Sequence, residues 1–219
     1  MTCKICENRR TRRYCPGVGG DICSVCCGTE REVTVSCPFD CPHLQDARDH
    51  EKLPELGPKQ LPNPDIRVTE QFLEDNVFLL AFLGTNLLDA ALRTPGAVDS
   101  DVREALDSLV RTYRTLQSGL YYETRPANPL AANIHQLLQQ DLAEFQRQSA
   151  ERLGVTPFRA AAVLGVLVFL QRLEMGRANG RRRGRAFLDF LRTDLAEPAA
   201  PGGASRLSGS APSLIVPRR

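Results

Sequence analysis

What the chain is short of narrows it before anything it contains. Only three of its 219 residues are lysine, namely Lys4, Lys52 and Lys59, so nearly all of its positive charge is arginine. Alanine is abundant too, and a GC-rich genome yields both, so the number of arginines alone indicates no function. No cysteine follows Cys41, and no apolar leader follows Met1-Thr2-Cys3-Lys4, so no secretory signal is expected. The longest apolar run, residues 158–170, holds Arg159 and is closed by Gln171 and Arg172; it is too short and too charged to span a bilayer. No nucleophile elbow, zinc-protease helix or pair of catalytic carboxylates stands out. Gly17-Val18-Gly19-Gly20 lacks the lysine and the preceding strand of a phosphate loop. With a net charge of +2 the chain is no polycation either. These absences point to a cytoplasmic, non-enzymatic protein with no membrane partner.

What is present falls into four stretches. Apolar residues make up 42% and charged residues 25%, the proportions of a globular protein. Residues 1–50 hold every cysteine and the glycines of several turns. Residues 51–66 carry Pro54, Pro58, Pro62 and Pro64, a density that resists helix and sheet and reads as an extended linker. Residues 67–196 repeat apolar positions at spacings of three and four and are expected to form a helical bundle. Residues 197–219 turn to Pro, Ala, Gly and Ser and are expected to be disordered. The fold class is therefore a small zinc-stabilised module of strands and turns followed by an all-α bundle, the bundle folding on its own.

Local signals punctuate the helical region. Thr69 is a candidate N-cap for a first helix, and Asp99 or Ser100 opens a second. Asn128-Pro129 and Thr156-Pro157 each pair a capping residue with proline at the first helical position, with Gly154 as the stop between them. The fourth helix, ending at Met175-Gly176, is apolar nearly all round and is expected to be central. A short fifth, over residues 186–195, is expected to pack on the outside. His135 reads as an exposed residue near a helix start, and Tyr121-Tyr122 as packing residues with wet hydroxyls.

The cysteines carry the clearest chemistry. They fall as Cys3-x2-Cys6, Cys15, Cys23-x2-Cys26-Cys27 and Cys37-x3-Cys41, followed by His43 and His50. A Cys-x2-Cys turn brings both sulfurs to one tetrahedral zinc, and two such knuckles supply all four ligands. The sixteen residues between Cys6 and Cys23 match the spacing of a two-knuckle site, so Cys3, Cys6, Cys23 and Cys26 form the strongest set. Cys15, Cys27, Cys37 and Cys41 remain for a second, with His43 or His50 able to replace one of them. An iron–sulfur cluster is the main rival, because thiolates serve both, and dithiol redox chemistry is a third reading.

Because Cys15 lies between the knuckles of the first set, the two sites interleave. In this ligand order the segment from Cys3 to His50 resembles the cross-brace zinc modules of the B-box, MYND and HIT-type fingers. It departs from them in the adjacent Cys26-Cys27 and in the irregular third pair. Cys26-Cys27-Gly28 followed by Cys37-Pro38-Phe39-Asp40-Cys41 is also similar to a bacterial cysteine-rich protein type, a resemblance that implies no activity.

Two arginine clusters complete the inventory. Arg9, Arg10, Arg12 and Arg13 lie between Cys6 and Cys15; Arg177, Arg181, Arg182, Arg183 and Arg185 lie among glycines after the fourth helix. Such clusters can neutralise phosphates, although no helix-turn-helix or RNA-binding aromatic motif accompanies them. Residues 65–150 hold seven basic and twelve acidic residues, residues 151–219 twelve basic and five acidic, so the early helices are expected to face the late segment. The functional expectation is an adaptor or regulator working through a protein partner or self-association, with nucleic-acid binding by residues 9–13 and 177–185 as the alternative. Elemental analysis of the purified chain should return two zinc ions per molecule and no visible chromophore; iron with sulfide would refute this.

Overall fold

A computed structural model describes residues 2–54, 56–57, 60–153 and 158–195. The expected disordered tail, the stop at Gly154 and the cap at Thr156-Pro157 lie outside the described residues. In the cysteine-rich stretch, strands β1 (Arg13–Cys15) and β2 (Gly20–Ile22) pair antiparallel with Tyr14 opposite Asp21. The turn between them needs Gly19, whose φ of +66° costs a residue with a Cβ. Two short helices accompany the strands, α1 (Ser24–Glu30) and α2 (Pro42–Arg48). Strands and turns alone were expected, and the reason for the difference is chemical. Both helices start on a cysteine, a residue outside the usual capping set: Cys23 accepts from the Cys26 N–H, and Cys41 precedes proline at the first helical position.

The rest is mostly helical: α3 (Glu70–Asp75), α4 (Val77–Leu92), α5 (Asp99–Gln117), α6 (Pro129–Leu153), α7 (Ala160–Arg177) and α8 (Ala186–Phe190), with a π turn over Leu191–Leu195. Thr69 caps α3 through the Phe72 N–H at 3.1 Å, and Asn128 Oδ1 accepts from the Leu130 N–H at 2.9 Å to open α6. The expected first helix is two, broken at Asn76, whose φ and ψ of −119° and 24° leave the helical region. The backbone before α5 is held from inside the helix: Asp101 Oδ2 accepts the Val98 N–H at 2.9 Å.

Helices α4 and α5 each pack against both α6 and α7, which closes a four-helix arrangement. Its core includes Leu83, Leu87, Leu106, Ile134, Leu138, Leu164 and Phe169. Val163 to Leu170 of α7 are buried, as the apolar run predicts, and burial continues past its end through Gln171, Arg172, Leu173 and Glu174. The fifth helix is not external. Phe187, Leu188 and Leu191 are buried, and Leu195 reaches Gly84 of α4, where a side chain would collide with it. Adjacent apolar residues on both faces of so short an element close the side of the bundle rather than decorate it.

The proline-rich stretch is not a free spacer. Leu61 and Val68 are part of the bundle core. Arg172, fully buried on α7, donates to the carbonyls of Pro62 at 3.1 Å, Asn63 at 2.6 Å and Ile66 at 2.9 Å. Arg114 forks onto Asp65 at 2.7 and 2.9 Å. Prolines leave carbonyls without the partners that a helix or sheet would provide, and two arginines collect this segment instead.

The cysteine-rich stretch is fastened to the bundle through Glu32. This residue is 1% exposed and has a left-handed φ of 52°. Its carboxylate accepts from Arg48 Nη2 and Asn179 Nδ2, both at 2.8 Å, and from the Arg185 N–H at 3.0 Å; its carbonyl accepts from the Arg183 N–H at 2.7 Å. Arg48 also pairs with Asp189 of α8. The late basic segment thus meets residues 31–51 rather than the acidic early helices. An ion pair between α5 and α7 has the opposite polarity, the half-exposed Arg103 donating to the buried Glu174 at 2.7 and 2.9 Å.

Asp99 holds α8 in place by accepting the Phe187 and Leu188 N–H groups at 3.0 and 3.1 Å. Burial pushes its carboxyl up to about 7, despite these two bonds, which pull the other way. Between the unfolded value of 3.8 and about 7 the folded chain therefore binds more protons than the unfolded chain, so this group's contribution to stability falls as pH rises through that window. Asp99→Asn should remove that part of the pH dependence in denaturant titrations from pH 4 to 8. An unchanged slope would refute the assignment.

Candidate metal centre

Four sulfurs converge at the start of the chain. Cys3, Cys6, Cys23 and Cys26 place their Sγ atoms within 4.8 Å of one another. A zinc ion with bonds of about 2.3 Å spaces four tetrahedral sulfurs about 3.8 Å apart, so the set fits such an ion with little adjustment. Among the described residues no other group of three or more His, Cys, Asp or Glu is so tightly drawn together. Cys3, Cys23 and Cys26 are buried and Cys6 half-buried, and all eight cysteines are free of disulfides.

The backbone explains the convergence. After Cys6 the chain turns at Glu7, whose φ of 53° is left-handed, and the Glu7 N–H returns to the Cys3 carbonyl at 2.8 Å. The Cys3 N–H donates to the Arg9 carbonyl at 2.9 Å, and the Lys4 N–H to the Asp21 carbonyl at 3.0 Å, laying the first knuckle against β2. The Cys23 N–H then donates to Cys3 Sγ at 3.2 Å, and the Cys26 N–H to Cys23 Sγ at 3.4 Å. Donors aimed at sulfur favour thiolate, the form that binds metal.

The thiols respond unequally. Burial raises Cys3, but backbone bonds from Cys6, Cys23 and Ile5 outweigh it and bring the thiol down to about 6. Cys6 is lowered by the backbone of Arg9 and Asn8. Cys26 is pushed up to about 12, first by burial and then by hydrogen bonding to Cys23. Arg9 is raised by its bond to Cys23 and by the charges of Cys6 and Cys23. This arginine belongs to the sulfur cluster, a role hidden in sequence among its neighbours Arg10, Arg12 and Arg13.

The other four cysteines share a place without closing to ligand distance. Cys15, Cys27, Cys37 and Cys41 all line one void of about 10 Å³, together with Arg13, Arg31, His43 and Leu44. Arg13 Nη1 lies 3.6 Å and Arg31 Nη2 3.9 Å from Cys27 Sγ. Burial raises the Cys37 thiol. His43 also borders a shallow outer cleft with Arg13, Arg31 and His50, whereas His50 is absent from the void's lining and has Nδ1 2.7 Å from the Asp46 carbonyl.

The second arginine cluster is largely engaged. Arg181 donates to the Arg31 carbonyl at 2.7 Å, Arg183 to Ser36 Oγ at 2.7 Å, and Arg185 to the Cys37 carbonyl. Arg185 also stacks over Phe39 at 4.2 Å, and Arg177 over Phe190 at 4.3 Å. Sequence reasoning missed Glu32 entirely, because two of its partners, Asn179 and Arg185, lie about 150 positions away and its left-handed backbone leaves no composition signal.

The described residues include no helix long and apolar enough to cross a membrane. Comparison with family models, curated proteins and solved structures found no match to this chain. Structural zinc contributes on the order of 10 kcal/mol to modules of this size. Cys23→Ser, which removes one of the four sulfurs and leaves a hydroxyl able to cap α1, should release bound metal and unfold the segment around β1 and β2. The helical circular-dichroism signal of the bundle should persist. Full metal retention in the variant would refute the role given to Cys23.

Proposed function

We propose that the chain is a zinc-stabilised, non-enzymatic adaptor or regulator of the cytoplasm that acts by binding a protein partner. The observation that carries this reading is the four-thiol cluster of Cys3, Cys6, Cys23 and Cys26. Four sulfurs complete the coordination of a zinc ion and leave no position for substrate, so the metal's role is to hold a shape. A second zinc would draw on Cys15, Cys27, Cys37 and Cys41, which line one void, with His43 of the same lining as the substitute ligand. The two sites then interleave in the cross-brace order. Free thiols at all eight positions suit a reducing compartment.

Charge favours a protein partner over nucleic acid. Residues 1–50 hold seven basic and seven acidic side chains, and each tetrathiolate zinc adds a net charge of about −2. Arg9, Arg13 and Arg31 face sulfur, and Arg181, Arg183 and Arg185 face the cysteine-rich stretch, so few guanidiniums are left for phosphates.

Zinc content of three variants tests the second site. Cys27→Ser should retain one ion, while His43→Ala and His50→Ala retain two; two ions in Cys27→Ser would remove Cys27 from the ligand set. Affinity capture with the zinc-loaded chain should recover a protein partner that is lost on chelation. A salt-dependent shift of nonspecific DNA or RNA, with no protein captured, would replace the adaptor reading by the nucleic-acid one.

A further inference from the structure

The face of α6 that looks toward the end of α5 is rich in amides. Gln136, Gln139, Gln140 and Gln146 line a cleft of about 550 Å³ whose other walls are α5 and the segment 121–126. Over the ten positions from Gln136 to Gln146 the helix rises about 15 Å, the length of four or five extended residues. Each glutamine amide offers a donor and an acceptor, the alternation a peptide backbone presents.

His135 lies in the wall of this cleft. It is 2% exposed, and its Nε2 has no hydrogen-bond partner. Burial lowers its pKa and keeps the ring neutral at neutral pH. A neutral imidazole has one nitrogen that donates and one that accepts, so Nε2 is a hydrogen-bonding atom left unused. A ring nitrogen buried without a partner is costly unless a partner arrives from outside.

The mouth favours a macromolecule without charge. Glu123 and Arg125 pair with each other at 3.0 Å and cancel. Leu120, Tyr121 and Tyr122 stand 69%, 72% and 69% exposed beside it, the kind of side chain that anchors protein interfaces.

We propose that this cleft binds an extended, uncharged peptide segment of a protein partner. Its backbone lies along the glutamines of α6, one of its amide groups hydrogen-bonds to His135 Nε2, and an apolar side chain rests against Tyr113 and Tyr121. The assignment rests on the adaptor reading and locates its binding surface.

The test is selection of short random peptides displayed on phage against the zinc-loaded full chain, followed by calorimetric titration of the enriched sequences. Enriched peptides should be uncharged at their centre. Tyr121→Ala and Gln139→Ala, both substitutions at the cleft surface, should each weaken binding about tenfold with an unchanged melting temperature. His135→Phe, which removes the unpartnered ring nitrogen, should weaken it at least as much. Failure to enrich any peptide, or binding indifferent to Tyr121→Ala and Gln139→Ala, would overturn the proposal. Binding of N-acetyl amino acid amides as tight as that of the peptides would overturn it in favour of a small-molecule site. A partner complex that survives the cleft variants would sink this proposal and leave the adaptor reading standing, whereas absence of any protein partner would sink the adaptor reading itself.

Discussion

A buried carboxylate must find its donors or the fold that buries it cannot persist, and Glu32 concentrates that requirement in one place. It draws one donor from α2, one from the side chain of Asn179 and one from the backbone of Arg185. The left-handed backbone at Glu32 is tolerated because these bonds over-determine it. Removing any of the three donors leaves charge in a site without water. The cysteine-rich stretch and the bundle are therefore joined at a buried carboxylate, beside which Arg181, Arg183 and Arg185 reach Arg31, Ser36 and Cys37, and the segment between α7 and α8 serves as its seat.

A second principle orders the N-terminal stretch: sulfur gathers guanidiniums and backbone N–H groups. Arg9 is drawn to Cys23, and Arg13 and Arg31 to Cys27. The helix start at Cys23 answers to the same need, since one sulfur caps α1 and belongs to the four-thiol cluster. Two of the four arginines of the first basic cluster, Arg9 and Arg13, thus approach sulfur.

The sequence made legible what depends on near neighbours. The caps at Thr69 and Asn128 and the joining of Cys3, Cys6, Cys23 and Cys26 follow from spacing and side-chain type within one or two turns. The burial of α7 from Val163 to Leu170 follows from its continuous apolar composition. Other features depend on distant partners and left no local trace. Residues 51–66 look solvent-loving by their prolines, yet Arg114 and Arg172, 49 to 110 positions away, hold their carbonyls and Asp65. His135, expected at the surface, is buried because residues 121–126 fold back over it. The start of α5 shows no capping side chain at Val98, since the stabilising carboxylate sits inside the helix at Asp101.

The position of α7 in chain order has a consequence for synthesis. It is the last of the four bundle helices to leave the ribosome, yet α4 and α5 both need it to cover their apolar faces. A nascent chain that ends at α6 would leave the apolar faces of α4 and α5 partly uncovered, and two of the donors for Glu32, Asn179 Nδ2 and the Arg185 N–H, would not yet have been made. Translation pauses before α7 would thus prolong a sticky, half-built state in which thiols and leucines are open together. Chaperone dependence and losses to aggregation during expression would then be set by how quickly this one segment follows the others.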